Sequence, residues 1–186
     1  MKKIIVFASG SGTNAENIIK YFALTKTATV IAVFTNNAKA KVIERAKNHQ
    51  VPTQIFSKQD LNESKVLQLV NGFQPDLIVL AGFLLKFPQD IIEAYPDKII
   101  NIHPALLPKY GGKGMYGMHI HKAIVENQEK DTGITIHYVN ENYDEGNIIF
   151  QKKVSLTGTE TPEAVAEKIH ELEQNHFPEV IEKLLT

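Results

Sequence analysis

The sequence predicts an α/β fold in which a mostly parallel, twisted sheet carries helices on both faces. Short runs rich in Ile and Val alternate with segments of helical periodicity, a pattern typical of βαβ units. Strands of such a sheet are buried on both sides and are therefore apolar throughout. The predicted strands of this first part are Lys3–Ala8, Thr29–Phe34, Thr53–Phe56, Leu77–Ala81 and Lys98–Ile102. The predicted helices between them are Ala15–Leu24, Ala38–Asn48, Asp60–Asn71 and Gln89–Ala94.

The second part of the chain has a different pattern. Gly133–Asn140 alternates between two faces, Ile148–Leu156 is a further strand, and a helix is predicted from about His119 to Asn127. Thr161 followed by Pro162 predicts the start of a long C-terminal helix, because Thr is a common N-cap and Pro fits the first helical position. We therefore predict a Rossmann-like mononucleotide-binding half, extended by C-terminal strands and a long helix, in one domain spanning residues 1–186.

The composition excludes several classes of function. The formal net charge is −1, without the clustered Lys and Arg that nucleic-acid binding requires, so no nucleic-acid partner is predicted. The chain has no cysteine, which excludes disulfides, thiolate metal sites and a cysteine nucleophile. The apolar run after Lys2 and Lys3 is too short for a signal peptide, and no run approaches the roughly 18 residues of a membrane span. We expect a cytoplasmic protein that binds no membrane.

A glycine-rich turn, Gly10–Ala15, lies between the first strand and the first helix. It satisfies a loose G-x-G-x-x-A fingerprint, but the second strand ends without the acidic residue that would hold the ribose of a nicotinamide nucleotide. A P-loop for ATP is also absent. Backbone N–H groups at a helix N-terminus bind phosphate, so a phosphate site is one interpretation of the turn. The alternative is a tight turn in which Thr13 or Asn14 caps the helix.

Asn101 and His103 form the clearest candidate for a functional pair. They are two residues apart on a predicted strand, so their side chains share a face. Pro104 cannot continue a central strand, which places His103 at the carboxyl edge of the sheet, where open α/β folds bind ligands. Asn supplies an amide donor, and His can act as a donor, an acid or a base.

Two other polar groups are ambiguous. A loop between the last two predicted strands carries three carboxylates, Glu141, Asp144 and Glu145, and the pattern alone does not choose among them or exclude a solvated turn. His119 and His121 are spaced as a metal-binding pair would be, but no acidic or sulfur ligand stands close by in sequence. We predict no metal site and interpret the two histidines as groups that cap a helix or pack a substrate loop.

These segments resemble the formyltransferase family that uses 10-formyltetrahydrofolate. Asn101–Tyr110 is similar to the family signature, and Asp144, in an Asp-x-Gly sequence, looks like its essential aspartate. Ala8–Asn14 is similar to the phosphate loop of the glycinamide ribonucleotide branch, and Leu80–Phe87 resembles the folate-binding stretch. The resemblance covers nearly the whole chain. It implies transfer of a formyl group to the amine of glycinamide ribonucleotide in de novo purine (IMP) biosynthesis.

The resemblance also implies roles for individual residues. Asn101 and His103 would donate hydrogen bonds to the oxyanion of a tetrahedral intermediate. Asp144 would keep His103 cationic and assist proton transfer. Glu173 matches a family position near the substrate's amine. The substrate phosphate would lie on Gly12, Thr13 and Asn14.

The implied co-substrate is 10-formyltetrahydrofolate, with no metal, no nicotinamide and no ATP. The residues implied to bind it are Leu84, Leu85, Lys86, Phe87, Asn101 and Lys58, together with the loop Val139–Asp144. Two features depart from the family pattern. Lys58 lies where the family usually carries an arginine, and Lys lacks the bidentate fork of Arg. The loop Gly111–Gly117 is longer than the commonest family version.

Sibling enzymes and other functions remain as alternatives. Methionyl-tRNA formyltransferases add a basic C-terminal domain, and formyltetrahydrofolate hydrolases add an N-terminal regulatory domain; we expect neither domain here. A formyltetrahydrofolate hydrolase without its extra domain is the second hypothesis. An inactive nucleotide-binding module is the third, although the presence of Asn101, His103 and Asp144 argues against it. The expected partners are the two small molecules, glycinamide ribonucleotide and formyl-folate, bound by a monomer or a homodimer.

Overall fold

A computed structural model describes residues 1–186, and its strands form a single seven-stranded sheet. The strands are β1 Lys2–Phe7, β2 Ala28–Thr35, β3 Thr53–Ile55, β4 Leu77–Leu80, β5 Ile99–His103, β6 Asp131–Tyr138 and β7 Ile148–Ser155. The helices are α1 Thr13–Thr25, α2 Val42–Asn48, α3 Lys58–Asn62, α4 Lys65–Phe73, α5 Gln89–Ala94, α6 Met118–Glu126 and α7 Pro162–Leu185.

The strand order is β3-β2-β1-β4-β5-β6-β7. The pairs among β1 to β5 are parallel, whereas β6 pairs antiparallel with both β5 and β7. The predicted mostly parallel α/β sheet is therefore confirmed. The order reverses at β1, which lies between β2 and β4, and ligands of open α/β sheets bind outside the carboxyl ends of the strands at such a reversal.

Helices cover both faces of the sheet, as predicted. The larger apolar core packs α1, α2, α6 and α7 against one face, and the smaller core packs α3, α4 and α5 against the other. The longest helix, α7, begins where predicted, with the Thr161 hydroxyl accepting a hydrogen bond from the Ala164 N–H at 3.2 Å. None of the seven helices combines the length and apolar character that a bilayer-spanning segment needs.

The predicted helix Asp60–Asn71 is wrong, because the structure has two helices there. Ser57 caps α3 in a capping box with Asp60, which starts this helix two residues early. The chain then turns at Ser64, whose φ of 57° is left-handed, before α4 begins. The apolar periodicity did not reveal the break, because both helices bury residues in the same core.

Strand β6 is buried on both faces, although its sequence alternates. Every residue from 132 to 137 is buried, including Thr135 and His137. The reason is its position between β5 and β7, with the larger core on one side and the segment after β5 on the other. Polar side chains on this strand therefore need partners inside the protein.

Candidate functional site

A cleft of about 620 Å³ lies beside the carboxyl ends of β1, β4 and β5. Several loops and one face of α7 surround it. The lining residues are Gly10–Asn14, Leu80–Phe87, Asn101–Pro104, Gly112–Gly117, Val139–Asp144, His121, His137, Ala166, Ile169, His170 and Glu173. The structure thus brings almost all the predicted site residues to one concave surface, as expected for a sheet of this topology.

The glycine-rich turn enters the cleft through its backbone. Gly12 is the N-cap of α1 with φ 74°, and no side chain caps the helix, so the alternative that Thr13 or Asn14 acts as the cap is wrong. A Cβ at Gly12 would lie 2.7 Å from the Cα of Val42, which leaves no room for a side chain. The N–H groups of Ser11, Gly12, Thr13 and Asn14 donate to no acceptor within the chain.

Glu173 is tied to the start of α1. The Asn14 Nδ2 donates to its Oε2 at 2.9 Å, and the Gln174 Nε2 donates to the Asn14 Oδ1 at 2.9 Å. His170 lies one turn earlier on α7, with its Nδ1 3.8 Å from the Glu173 carboxylate. That hydrogen-bonding carboxylate raises the pKa of His170. A carboxylate and an imidazole therefore face the cleft beside the turn.

A polar cluster, consisting of Asn101, His103, His137 and Asp144, occupies the other end of the cleft. The Asp144 Oδ1 lies 3.5 Å from the His103 Nδ1 and 3.6 Å from the His137 Nε2. Its Oδ2 accepts a hydrogen bond from the Gly112 N–H at 2.9 Å. The two imidazoles are almost fully buried, with exposed fractions of 3% and 2%. One carboxylate therefore lies beside two buried imidazole rings.

Backbone carbonyls orient both rings. The His103 Nε2 donates to the Tyr110 carbonyl at 2.8 Å, and the His137 Nδ1 donates to the Tyr138 carbonyl at 2.8 Å. Because a carbonyl can only accept, these contacts assign one N–H of each ring. The remaining nitrogen of His137 accepts from the Asn101 Nδ2 at 3.1 Å. The remaining nitrogen of His103 is the one that faces the carboxylate.

Burial controls the protonation of this cluster. It lowers the pKa of His103 below its usual 6.5, and the charge of Asp144 offsets only part of that effect. Burial acts to raise the pKa of Asp144, but the adjacent His137 and His103 rings and the hydrogen bond from the Gly112 N–H together hold it below 3.8. These shifts favour an ionised Asp144 and a neutral His103. Burial therefore opposes the expected cationic His103, because that expectation counted the carboxylate and omitted the desolvation.

The structure distinguishes the three carboxylates of the loop after β6. The Asp144 side chain is 11% exposed and contacts the imidazoles, whereas Glu141 and Glu145 are exposed and form no ion pair or hydrogen bond within the chain. Asp144 also has a left-handed backbone, with φ 57°. The loop therefore turns one carboxylate inward and leaves the other two in solvent.

The stretch after β4 is held against the end of β1. The Leu84 N–H donates to the Ser9 hydroxyl at 3.0 Å, and that hydroxyl donates to the Asn36 side-chain oxygen at 2.6 Å. Phe87 is buried, whereas Leu84 is half exposed. The stretch Leu84–Phe87 lies along the cleft.

Lys58 is the one predicted site residue that the structure does not bring to the cleft. It lies at the exposed first position of α3 and does not line the cleft. The capping box at Ser57 starts α3 there and directs this residue into solvent. The prediction that Lys58 replaces the family's arginine at the folate site is therefore not supported by the geometry.

The two histidines of α6 have separate environments. His119 packs edge-on against Tyr116, with ring centroids 5.3 Å apart. His121 is buried along the cleft, its Nδ1 has no partner, and burial lowers its pKa. No three His, Cys, Asp or Glu side chains come close enough to hold a metal ion.

His137 is the site residue that the sequence analysis missed. The antiparallel register of β5 and β6 places it directly opposite Asn101. The sequence analysis placed His137 only within the alternating strand Gly133–Asn140. A histidine on an alternating strand is an available signal, but its partner can be known only from the strand pairing.

Several curated proteins are similar to this chain. A phosphoribosylglycinamide formyltransferase of Bacillus subtilis is 35% identical over 191 residues, which cover 100% of this chain and 95% of that protein. A chloroplastic phosphoribosylglycinamide formyltransferase of Arabidopsis thaliana is 35% identical over 187 residues. That alignment covers 97% of this chain, and the chain spans 64% of the length of the plant protein.

Solved structures have the same architecture. Glycinamide ribonucleotide transformylase 1 from Geobacillus kaustophilus superimposes with a TM-score of 0.90 at 38% identity, with 100% of each chain covered. A phosphoribosylglycinamide formyltransferase from Bacillus halodurans gives a TM-score of 0.89 at 36% identity, covering 100% of this chain and 96% of that one. The family model described as formyl transferase matches residues 2–181, and this chain belongs to the formyl transferase family.

Proposed function

We propose that this protein transfers the formyl group of 10-formyltetrahydrofolate to the amine of glycinamide ribonucleotide, a step of de novo purine (IMP) biosynthesis. The observation that carries the proposal is the position of Asp144. It is a largely buried carboxylate, with 11% of its side chain exposed, that lies between two imidazoles. The opposite end of the same cleft offers unpaired backbone N–H groups. The relatives of nearly the same length are phosphoribosylglycinamide formyltransferases, which supports this substrate over others.

The phosphate of the substrate would bind at Gly12, Thr13 and Asn14. Their N–H groups have no acceptor in the chain, and the α1 dipole favours an anion at this end. Glu173, held beside the turn by Asn14, would accept hydrogen bonds from the glycinamide ribonucleotide on the path from the phosphate to the amine.

The folate would occupy the part of the cleft between Leu84–Phe87 and Val139–Asp144. The first stretch lines the cleft with the side chains of Leu84 and Leu85, and apolar walls of this kind suit a flat ring system such as a pterin. The second stretch ends at Asp144, so the formyl group at the folate's reactive nitrogen would lie beside the polar cluster. Asn101 contributes to both the folate site and the chemistry.

The reaction forms one C–N bond and breaks another. The substrate amine attacks the formyl carbon, the carbonyl oxygen becomes an oxyanion, and the bond to the folate nitrogen then breaks. A proton leaves the attacking amine and ends on the folate nitrogen. Asn101, oriented by His137, would donate a hydrogen bond to the oxyanion, and donors preorganised for a developing charge are a large contribution to acyl-transfer catalysis.

His103 and Asp144 would carry the proton from the attacking amine to the leaving folate nitrogen. His103 is mainly neutral in the resting site, so it can take up the proton that the amine loses. Asp144 would stabilise the imidazolium that forms, because an opposite charge at 3.5 Å favours the charged ring. The proton would then pass on to the leaving nitrogen. Because the two nitrogens of His103 face the Tyr110 carbonyl and Asp144, the donor to the oxyanion would be Asn101.

An assay of the purified protein with 10-formyltetrahydrofolate, with and without glycinamide ribonucleotide, tests the proposal. We expect formylated product only when the amine is present. Folate deformylation that is equally fast without the amine would indicate a hydrolase instead. Activity should persist after exhaustive chelation and without added nucleotide; loss on chelation with rescue by zinc would contradict the metal-free mechanism.

A further inference from the structure

Arg45, the single arginine of the chain, contacts the glycine-rich turn on the side that packs against α2. It lies on α2 and does not line the cleft. Its Nε donates to the Ser11 carbonyl at 2.9 Å, and its Nη1 is paired with the Glu16 carboxylate in the first turn of α1. One side chain therefore joins α2 both to the turn and to the helix that begins there.

The contacts with α2 determine the direction of two peptide groups in the turn. The Val42 N–H donates to the Gly10 carbonyl at 3.2 Å, and Arg45 binds the next carbonyl along, that of Ser11. These peptide bonds are trans, and in a trans peptide the C=O and N–H point in opposite directions. With both carbonyls directed at α2, the N–H groups of Ser11 and Gly12 point the other way, towards the cleft.

The second contact of Arg45 concerns charge. The hydrogen bond from His49, with Lys20 and Arg45 adding to it, lowers the pKa of Glu16 to about 2, so this carboxylate is ionised at neutral pH. It lies on the same helix end as the turn. An uncompensated anion there would oppose the binding of a phosphate, because like charges repel across short distances. Arg45 therefore also supplies positive charge beside this end of α1.

We propose that Arg45 is a positioning residue for phosphate binding: it orients the Ser11–Gly12 peptide towards the cleft and compensates the charge of Glu16. Nε and Nη1 of the planar guanidinium bind two groups in two directions. A lysine keeps the charge but has a single ammonium group, so it cannot reproduce both contacts. The identity of the phosphorylated substrate rests on the proposed function, whereas phosphate itself is a sufficient probe of the turn.

The test is a titration of the ¹⁵N-labelled protein with inorganic phosphate, followed at the amide resonances of Ser11 and Gly12. Wild type, Arg45→Gln and Arg45→Lys are compared. Lys47→Gln is the control, because Lys47 is an exposed cation on the same helix and forms no ion pair. We expect the phosphate Kd to rise about tenfold in both Arg45 variants and to change less than about twofold in the control.

Formyl-transfer kinetics on the same proteins provide a second readout. The KM for the phosphorylated substrate should rise in parallel with the phosphate Kd, while kcat and the KM for the folate stay within about twofold of wild type. Failure of phosphate to shift the two amides of the wild type would overturn the inference. So would an unchanged Kd in both Arg45 variants, or an equal loss in Lys47→Gln. If phosphate binds as expected but no formyl group is transferred, the proposed function fails and the role of Arg45 stands.

Discussion

The two ends of the cleft are built in different ways. The glycine-rich turn uses backbone N–H groups, supplied by a single connection between β1 and α1. The polar cluster uses side chains from β5, from β6 and from the loop after β6. The first end is local in sequence and depends on the absence of a side chain at Gly12. The second end assembles only when an antiparallel strand is added to a parallel sheet.

The difference in construction corresponds to a difference in proposed role: the turn would bind the phosphate, and the polar cluster would transfer a proton. A phosphate has the same charge before and after formyl transfer, so fixed N–H groups and a helix dipole are sufficient for it. Proton transfer requires groups whose ionisation can change. Burial lowers the pKa of His103, whereas the neighbouring imidazoles and the Gly112 N–H lower the pKa of Asp144 against the effect of burial. Substitutions at the turn should therefore act on KM, and substitutions in the cluster should act on kcat.

The largest effect is expected from Asp144→Asn. This change removes the charge that stabilises protonated His103, and it disturbs the contact with His137. We expect kcat to fall by at least about 10²–10³-fold, with KM little changed. Steady-state kinetics, with folding checked by circular dichroism, would measure this.

The controls for this variant are Glu141→Gln and Glu145→Gln. Both remove a carboxylate from the same loop, but from exposed positions, so activity should stay within about tenfold of wild type. If kcat fell strongly in either of these variants while Asp144→Asn remained active, the assignment of the catalytic carboxylate would be wrong.

Gly12→Val tests the other end of the cleft. The new side chain would overlap Val42 and would occupy a left-handed conformation that Val avoids, so the turn must move. We expect the KM for glycinamide ribonucleotide to rise about a hundredfold, as two hydrogen bonds to a charged group are lost. Gly72→Ala, where a Cβ meets no atom within 4 Å, is the control. An unchanged KM in a folded Gly12→Val protein would remove the phosphate site.

His137→Gln tests whether the cluster acts as a unit. His137 accepts the hydrogen bond of Asn101 and lies beside Asp144, so its loss frees the amide that would face the oxyanion. We expect kcat to fall about ten- to a hundredfold, with the KM for glycinamide ribonucleotide unaffected. His176→Gln is the matched control, because His176 packs on Phe150 away from the cleft. Equal activities of the two variants would show that His137 has no positioning role.

The smallest effect is a change of pKa, measured by NMR titration of the imidazole resonances. His103 should titrate below 6.5 in the wild type, because burial disfavours its charged form. Asp144→Asn should lower this pKa further, since the opposing charge that raises it is gone. His170 is an internal control: its pKa is raised by Glu173 and should stay above 6.5 in both proteins. A His103 pKa above 6.5 in the wild type would contradict the neutral resting state.

The fold was largely predictable because its signals are local. Each strand of the parallel half is an apolar run between helical segments, and that pattern needs no knowledge of neighbours. The break between α3 and α4 was not predictable from periodicity, because both helices bury the same kind of face. The burial of both faces of β6 was also missed, since alternation indicates an exposed face only when nothing covers it.

The candidate site was predictable to the extent that its residues lie next to each other in sequence. Asn101 and His103 share a strand face, and the glycine-rich turn precedes a helix. The choice of Asp144 over Glu141 and Glu145 came from family resemblance, and the geometry then supplied the physical reason. Lys58 was misplaced because a capping box moved the start of α3.

The sequence by itself determined the α/β class, the glycine-rich turn and the position of His103 at the end of a strand, because each follows from neighbouring residues. Tertiary structure alone decided that His137 faces Asn101, that Arg45 holds the Ser11 carbonyl and that Asp144 lies between two imidazoles. It also decided that burial lowers the pKa of His103. The physical reason is that a pKa and a hydrogen-bond partner depend on which distant segments exclude water from a group, and pairing of the strands brings those segments together.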